Sequence, residues 1–128
     1  MIKQLNGTAN HVIAIEIIDG YTHEDEKSLE TLFEEKLNHG IDKVNMLVKI
    51  DNLSLMKSSL KAMLKDGVYA VKHLKYCGKI AIVGESKVEE FLTKTDNLFF
   101  GSSKAGREER YFQLRDLTLA FEWVNLSV

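Results

Sequence analysis

The chain has 128 residues, of which 45% are hydrophobic, with a formal net charge of −2 and one cysteine, Cys77. This length fits a single domain over residues 1–128, and one cysteine excludes an internal disulfide and favours a reducing compartment. The slight negative charge argues against general nucleic-acid binding. No apolar run is long enough for a membrane span or a signal peptide, so we expect a cytoplasmic protein.

The first third of the chain predicts two strands followed by a helix. Val12–Ile18 reads VIAIEII, a β-branched run typical of a buried strand, and Asp19–Gly20 ends it. Ile2–Leu5 predicts a short strand before this run. The helix that follows has Thr22 as a suitable N-cap and Gly40 as a suitable end. Its apolar stripe consists of Leu29, Leu32, Phe33 and Leu37.

The rest of the chain continues to alternate between strands and helices. We predict strands at Val44–Ile50, at Lys79–Val83 and around Tyr111–Phe112. We predict helices over residues 54–76, from a capping box at Ser86–Glu89 onward, and along the stripe Leu117, Ala120, Phe121 and Val124. Such alternation predicts an α/β fold, with a single mixed, largely parallel β-sheet of four or five strands and about four helices.

Residues 54–76 predict a helix with two apolar sides and a border of lysines. At about 100° per residue, one side is wide enough to pack on a sheet. On the opposite side, Leu55, Ala62, Tyr69 and Tyr76 recur every seven residues. A helix on a core needs one apolar side, so a second side bordered by lysines is typical of helices that lie on anionic lipid. The pattern also fits an ordinary solvated surface.

The sequence contains no motif for catalysis or metal binding, so we expect a protein that is not an enzyme and needs no cofactor. One cysteine and four histidines cannot build a structural zinc site. Residues 101–106, GSSKAG, have the glycine spacing of a P-loop, but Arg107 follows where that motif requires lysine. A strand is also predicted next, where a P-loop would open a helix. We therefore interpret this segment as a loop.

The order of elements, the VIAIEIIDGYT segment and the DNLSLMKSSLKAML stretch resemble the SpoIIAA-like, STAS-type domains over residues 10–125. In anti-sigma-factor antagonists of that family, a strand leads into a D-S-S-G motif. One serine of the motif is phosphorylated, and the helix that follows faces the partner. The matching stretch here is Met56–Leu60. It keeps Ser58 and Ser59, with Lys57 in place of the acid and Leu60 in place of the glycine.

The sequence also resembles a second branch of the family, the small stand-alone SpoIIAA-like proteins of bacteria. These lack the phosphoserine motif and resemble the CRAL-TRIO lipid-exchange fold. This resemblance implies helices on one side of the sheet, an apolar cavity and contact with bilayers. From it and from the two-sided helix, we predict a non-catalytic binding protein for a small apolar or lipid-like ligand, associated peripherally with anionic membrane surfaces.

The predicted cavity lies between the sheet and the helices of residues 54–76 and 86–97. Its predicted ligand-binding residues are Met56, Leu60, Met63, Leu64, Phe91, Leu92, Phe99 and Phe100. The predicted membrane contacts are Leu55, Lys57, Lys61, Lys65 and Tyr69. Methionine suits such a cavity because its flexible thioether adapts to varied shapes, but the ligand-binding set fits an ordinary core equally well.

Two alternatives remain open. The first is a regulatory protein–protein interaction module of the anti-sigma-factor-antagonist type, with a serine switch at Ser58 or Ser59. The second is a homodimer, because acidic residues predominate in residues 19–36 and lysines in residues 49–79, and such surfaces complement each other between chains. Trp123 and Leu126 either belong to such an interface or close the core.

Overall fold

The computed structural model describes residues 1–20, 22–51, 76–94 and 108–126, and for residues 91–94 and 109 it describes the backbone only. The elements in chain order are β1 (Ile2–Gln4), β2 (Val12–Ile17), α1 (His23–Asn38), β3 (Val44–Ile50), β4 (Cys77–Gly84), α2 (Ser86–Lys94), β5 (Glu108–Gln113), a short 3-10 helix (Leu114–Asp116) and α3 (Leu117–Asn125). The helix predicted over residues 54–76 and the loop predicted over residues 101–106 lie outside the described residues.

The five strands form one sheet in the order β1-β2-β3-β4-β5. β1 pairs with β2 in antiparallel fashion, and β2, β3, β4 and β5 are parallel. β4 extends beyond the predicted Lys79–Val83, because its pairing runs from Cys77, opposite Val44, to Gly84, opposite Gln113. The prediction of an α/β fold with one mixed, largely parallel sheet is confirmed.

Helix α1 begins and ends where the sequence predicts. The Thr22 hydroxyl accepts a hydrogen bond from the Asp25 N–H (3.1 Å), and the Asp25 carboxylate accepts one from the Thr22 N–H (2.9 Å), which completes a capping box. After the C-cap, Gly40 has a φ of +83°, a left-handed angle that glycine adopts without strain. Leu29 and Phe33 of the predicted stripe are buried in the core.

Helix α2 follows β4 after one residue, Glu85. It begins earlier than the predicted capping box implies, because Ser86 is its first residue and the Val88 N–H donates to the Glu85 carbonyl (2.8 Å). Val88 is 2% exposed and lies close to Gly84. A Cβ at position 84 would lie 2.8 Å from a Val88 methyl group, so α2 can pack this close to β4 because residue 84 is glycine.

One face of the sheet holds α1 and α2. Ile13, Ile15 and Ile17 of β2 share a core cluster on this face with Phe33 of α1 and Val88 of α2. Connections between parallel strands are right-handed in nearly all proteins. Because β2 to β5 follow one another across the sheet in a single direction, right-handed connections place both helices on the same face.

Helix α3 packs on the opposite face of the sheet. Its Ala120 and Val124 share a second core cluster with Val12, Leu47 and Val83. α3 follows the last strand, so the handedness of the connections does not direct it to the face of α1 and α2. The expectation of helices on one side of the sheet is therefore wrong for α3, because both faces of these buried strands are apolar and need cover.

The buried Asn45 ties the end of α3 to the middle of the sheet. Its amide NH₂ donates to the carbonyls of Val124 (2.7 Å) and Leu126 (3.2 Å), and its amide oxygen accepts from the Lys79 N–H (2.8 Å). The side chain is 0% exposed, and these bonds satisfy its polar atoms inside the fold.

The end of α3 also contacts the turn between β1 and β2. The Asn125 side chain accepts a hydrogen bond from the Ala9 N–H (2.9 Å) and donates one to the Gly7 carbonyl (3.1 Å). A ring nitrogen of His11 lies 2.9 Å from the Leu126 carbonyl oxygen. Residues near the two ends of the described chain are therefore joined directly.

Candidate functional site

The parallel strands end at one edge of the sheet, called the carboxyl edge here and formed by residues 18–20, 50–51 and 84–85. In doubly wound sheets, ligands bind at this edge where the strand order reverses. The strands from β2 to β5 follow in a single direction, so the described sheet has no such reversal. Strand order therefore does not mark a binding site at this edge, and any site there depends on the side chains and loops that follow the strands.

Strand β3 lies at the centre of the sheet and leads towards the predicted serine pair. Its last residue, Ile50, is 2% exposed. The next residue, Asp51, is exposed, and its N–H donates to the Ile17 carbonyl (3.1 Å). The sheet thus holds this connection up to Asp51, and the chain then continues to Ser58 and Ser59.

An exposed carboxylate follows each of three parallel strands. Asp19 follows β2, Asp51 follows β3 and Glu85 follows β4. Asp19 has a φ of +58°, a left-handed angle that aspartate tolerates better than most residues, and Gly20 continues the turn with a φ of +107°. These three side chains each place a negative charge at the described part of the carboxyl edge.

Asp25 of the capping box also binds the α-amino group of Met1. The ammonium nitrogen lies 2.9 Å from the Asp25 carboxylate and donates to the carbonyls of Ile18 (3.0 Å) and Gly20 (2.9 Å). Burial by itself would raise the pKa of Asp25. Hydrogen bonds from the ammonium and from Thr22, and the charge of the ammonium, together lower this pKa below its usual value of 3.8. The ionised Asp25 thus ties the end of β2 to α1.

Glu16 and Lys49 form an ion pair near the carboxyl edge, on the face that holds α3. They are opposite each other in β2 and β3, and their side chains are 16% and 27% exposed. Lys3 of β1 is opposite Glu16 on its other side, so charges alternate across three strands. Neither member of the pair is a predicted site residue. The sequence does contain a signal for this pair. Each residue is the second to last of its strand, and adjacent parallel strands that end together place such positions opposite each other.

Tyr111 joins β5 to the end of β4. Its hydroxyl donates a hydrogen bond to the Gly84 carbonyl (2.6 Å). Burial, followed by the negative charges of Glu89 and Glu85, raises the pKa of Tyr111. The hydroxyl therefore keeps its proton and remains a donor at the carboxyl edge.

The predicted site residues lie almost entirely outside what the structure describes. Those outside the described ranges are Met56, Leu60, Met63, Leu64, Phe99 and Phe100 of the ligand-binding set, Leu55, Lys57, Lys61, Lys65 and Tyr69 of the membrane set, and Ser58 and Ser59. Phe91 and Leu92 lie on α2, where only the backbone is described. The cavity, the membrane contacts and the serine switch therefore stay predictions.

Two further properties concern the described residues alone. Within residues 1–20, 22–51, 76–94 and 108–126, no three His, Cys, Asp or Glu side chains are grouped so that they could hold a metal ion. In those same ranges, no helix has the length and apolar character needed to cross a bilayer.

Comparison with curated proteins and with solved structures finds no match to this chain. A family model described as SpoIIAA-like matches residues 12–125. The matched range begins at the first residue of β2 and ends at the last residue of α3, so it includes the four parallel strands and the three described α-helices. The relation to the CRAL-TRIO fold stays a prediction. The chain belongs to the SpoIIAA-like family.

Proposed function

We propose that this protein is a non-catalytic regulatory module that acts by binding another protein, in the manner of the anti-sigma-factor antagonists. Family membership over residues 12–125 carries this proposal, because the matched range includes β3, the serine stretch after it and the described helices. In the antagonists that this chain resembles, the equivalent stretch carries the phosphorylated serine and leads to the helix that faces the partner.

The described end of β3 fixes the point from which the chain continues to these serines. An extended chain spans at most about 3.6 Å per residue, so Ser58 lies within about 25 Å of Asp51. A phosphate group adds nearly two negative charges at neutral pH. Lys49, close to this edge on β3, is already paired with Glu16. We expect this added charge to change how the serine stretch binds a partner.

The two departures from the D-S-S-G motif bear on the choice of partner. Lys57 presents a positive charge where the motif has an acid, and Leu60 presents an apolar side chain where it has glycine. A partner that binds this stretch has to accommodate both. We expect its binding surface to carry acidic groups beside an apolar pocket, because charge complementarity governs such specificity.

The test is affinity capture of the full chain from its own cells, followed by quantitative mass spectrometry. The wild type is compared with the variants S58A/S59A and S58E/S59E. We expect a protein that the wild type and S58A/S59A capture equally and that S58E/S59E captures at least about tenfold less. We also expect phosphate on Ser58 or Ser59 in the chain isolated from those cells. Binding is then measured between the two purified proteins.

The variant S28E is the control for an added charge, because Ser28 is an exposed serine on α1 and S28E adds one negative charge away from the serine stretch, where S58E/S59E adds two. We expect S28E to capture the partner as well as the wild type does. Equal capture by all variants, with no phosphate on either serine, would contradict the switch. Failure to capture any protein, together with an apolar molecule bound to each chain, would favour the apolar-ligand hypothesis.

A further inference from the structure

Exposed apolar side chains are concentrated near the end of the described chain. Among the described residues, four large apolar side chains are exposed, namely Met1, Leu114, Leu119 and Leu126, and three of these fall within residues 114–126. Leu119 is 54% exposed and Leu126 is 57% exposed. Single exposed apolar residues are common on protein surfaces, but three of them within residues 114–126 indicate a contact surface.

Helix α3 has a second apolar side that the sheet does not cover. Ala120 and Val124 are fully buried against the sheet. At about 100° per residue, Leu119 lies on the opposite side. Leu126 directly follows the last helical residue and comes seven positions after Leu119, and Trp123, which is partly buried and packs against the second core cluster, lies beside this side. These three residues, Leu119, Trp123 and Leu126, form what we call the outer stripe. Trp123 also serves the core, but a helix that only packs on a sheet does not need apolar residues at the exposed positions Leu119 and Leu126.

Groups of opposite charge flank the outer stripe. The Arg110 guanidinium lies 4.9 Å from the centre of the Trp123 ring and 5.9 Å from that of the Phe112 ring, which places it on the Trp123 flank. This stacking orients the guanidinium before any partner arrives. Glu122 is exposed and lies about 100° from Trp123 around the helix, on the other flank.

We infer that a second copy of this chain covers the outer stripe, with the two α3 helices side by side and pointing the same way about a two-fold axis. An axis parallel to the helices exchanges the flanks, so Arg110 of each copy faces Glu122 of the other. An antiparallel pairing would instead place Arg110 against Arg110 and Glu122 against Glu122, and like charges repel. The charges therefore favour the parallel pair, which two-fold symmetry closes at a dimer.

The residues of this interface suit a specific contact. Tryptophan and arginine are enriched among the residues that contribute most to binding, and here they are already stacked on each other. The proposed dimer surface is formed by α3 and β5 and is distinct from the serine stretch. Self-association and the serine switch can therefore be tested, and can fail, separately.

The test is sedimentation equilibrium of the full chain and of the variants L119D, R110E, E122R and R110E/E122R. We expect a wild-type dimer and a monomeric L119D variant. Each single charge reversal should weaken self-association at least about tenfold, because it creates two like-charge contacts. The double reversal should associate more tightly than either single reversal, because it places opposite charges at both contacts again, although it lacks the stacking of Arg110 on Trp123.

The variant E34R is the matched control. Glu34 is exposed on α1, which packs on the other face of the sheet, so this charge reversal should leave the dimer intact. Circular dichroism establishes that each variant is folded, which we expect because Leu119, Arg110 and Glu122 are all exposed. The inference is overturned by a wild type that stays monomeric, by a dimer that L119D leaves unchanged, or by a double reversal as weak as the single ones.

Discussion

Glu16 and Lys49 lie opposite each other in adjacent parallel strands, with 2.9 Å between the Glu16 carboxylate and the Lys49 ammonium nitrogen. Both side chains are partly buried, so water and salt screen this pair less than they screen a pair on the open surface. Loss of one member leaves the other as a partly buried charge without its counter-ion. The contribution of each charge to stability therefore depends on the presence of the other.

We predict that E16Q and K49M each lower the free energy of unfolding by about 1–2 kcal/mol, since each leaves one charge unpaired. The double variant E16Q/K49M should lose less than the sum of the two, because it removes both charges. Urea denaturation of the four proteins measures this coupling. K87M is the control, since Lys87 is exposed on α2, away from this pair, and its replacement should change stability little. Purely additive losses would show that the two charges act independently.

The carboxylate of Asp25 should make stability depend on pH. Its pKa is lower in the folded chain than the usual 3.8, so it stabilises the fold above that pH, and this stabilisation disappears as the pH falls through the folded pKa. We predict that D25N lowers the free energy of unfolding by about 1 kcal/mol at neutral pH, through the capping box and the Met1 contact.

The sign of the effect is checked by urea unfolding at a series of pH values. The difference in stability between the wild type and D25N should shrink as the pH falls below 3.8. E24Q is the control, because Glu24 is an exposed acid in the same first turn of α1. A difference between the wild type and D25N that does not change with pH would argue against the assigned role of the Asp25 charge.

The contact between Gly84 and Val88 predicts a coupled pair of substitutions. G84A places a methyl group 2.8 Å from a Val88 methyl, so it should lower the free energy of unfolding by about 1–3 kcal/mol. V88A should lower it by about 2 kcal/mol, because it leaves a cavity. In G84A/V88A the new methyl group occupies the vacated space. The double variant should therefore be at least about 1 kcal/mol more stable than additivity allows, as measured by urea denaturation.

Asn45 should be one of the least replaceable residues of the fold. N45A removes the partner of three buried or partly buried backbone groups and should lower the free energy of unfolding by about 3 kcal/mol. N45D keeps an acceptor for the Lys79 N–H but cannot donate to the Val124 and Leu126 carbonyls. Hydrogen exchange should therefore show faster exchange at the Lys79 amide in N45A than in N45D. Equal exchange in the two variants would contradict this assignment.

The sequence was informative wherever a periodic pattern met a clear boundary. Val44–Ile50 is a strand over the predicted residues, and α1 has the predicted N-cap Thr22. β5 is longer than the predicted Tyr111–Phe112, because the charged residues before this pair also join the backbone pairing with β4. Side-chain patterns do not report such pairing, and a strand at the edge of a sheet tolerates charged residues.

The sites were harder to predict than the elements, because they depend on which residues meet. The stripe of α3 was visible, yet periodicity cannot tell which face of a sheet a helix covers. The pairing of Glu16 with Lys49 depends on the alignment of β2 and β3, which neither strand specifies alone. The ammonium of Met1 binds Asp25 because the antiparallel β1 returns it to the end of β2. The face that α3 covers, the Glu16–Lys49 pair and the Met1–Asp25 contact all depend on how the elements pack, which the spacing of residues in the chain does not specify.

The cover that α3 gives to one face of the sheet bears on synthesis of the protein. A ribosome releases residues 12–84 before α3, so the strands that α3 covers emerge first. Until α3 follows, Val12, Leu47 and Val83 of the nascent chain lack their cover and form an apolar surface open to water. Such a surface is a binding site for chaperones and a starting point for aggregation. A chain that stalls or is cut before Leu117 therefore has β2 to β5 but lacks the cover that α3 gives to one face of the sheet.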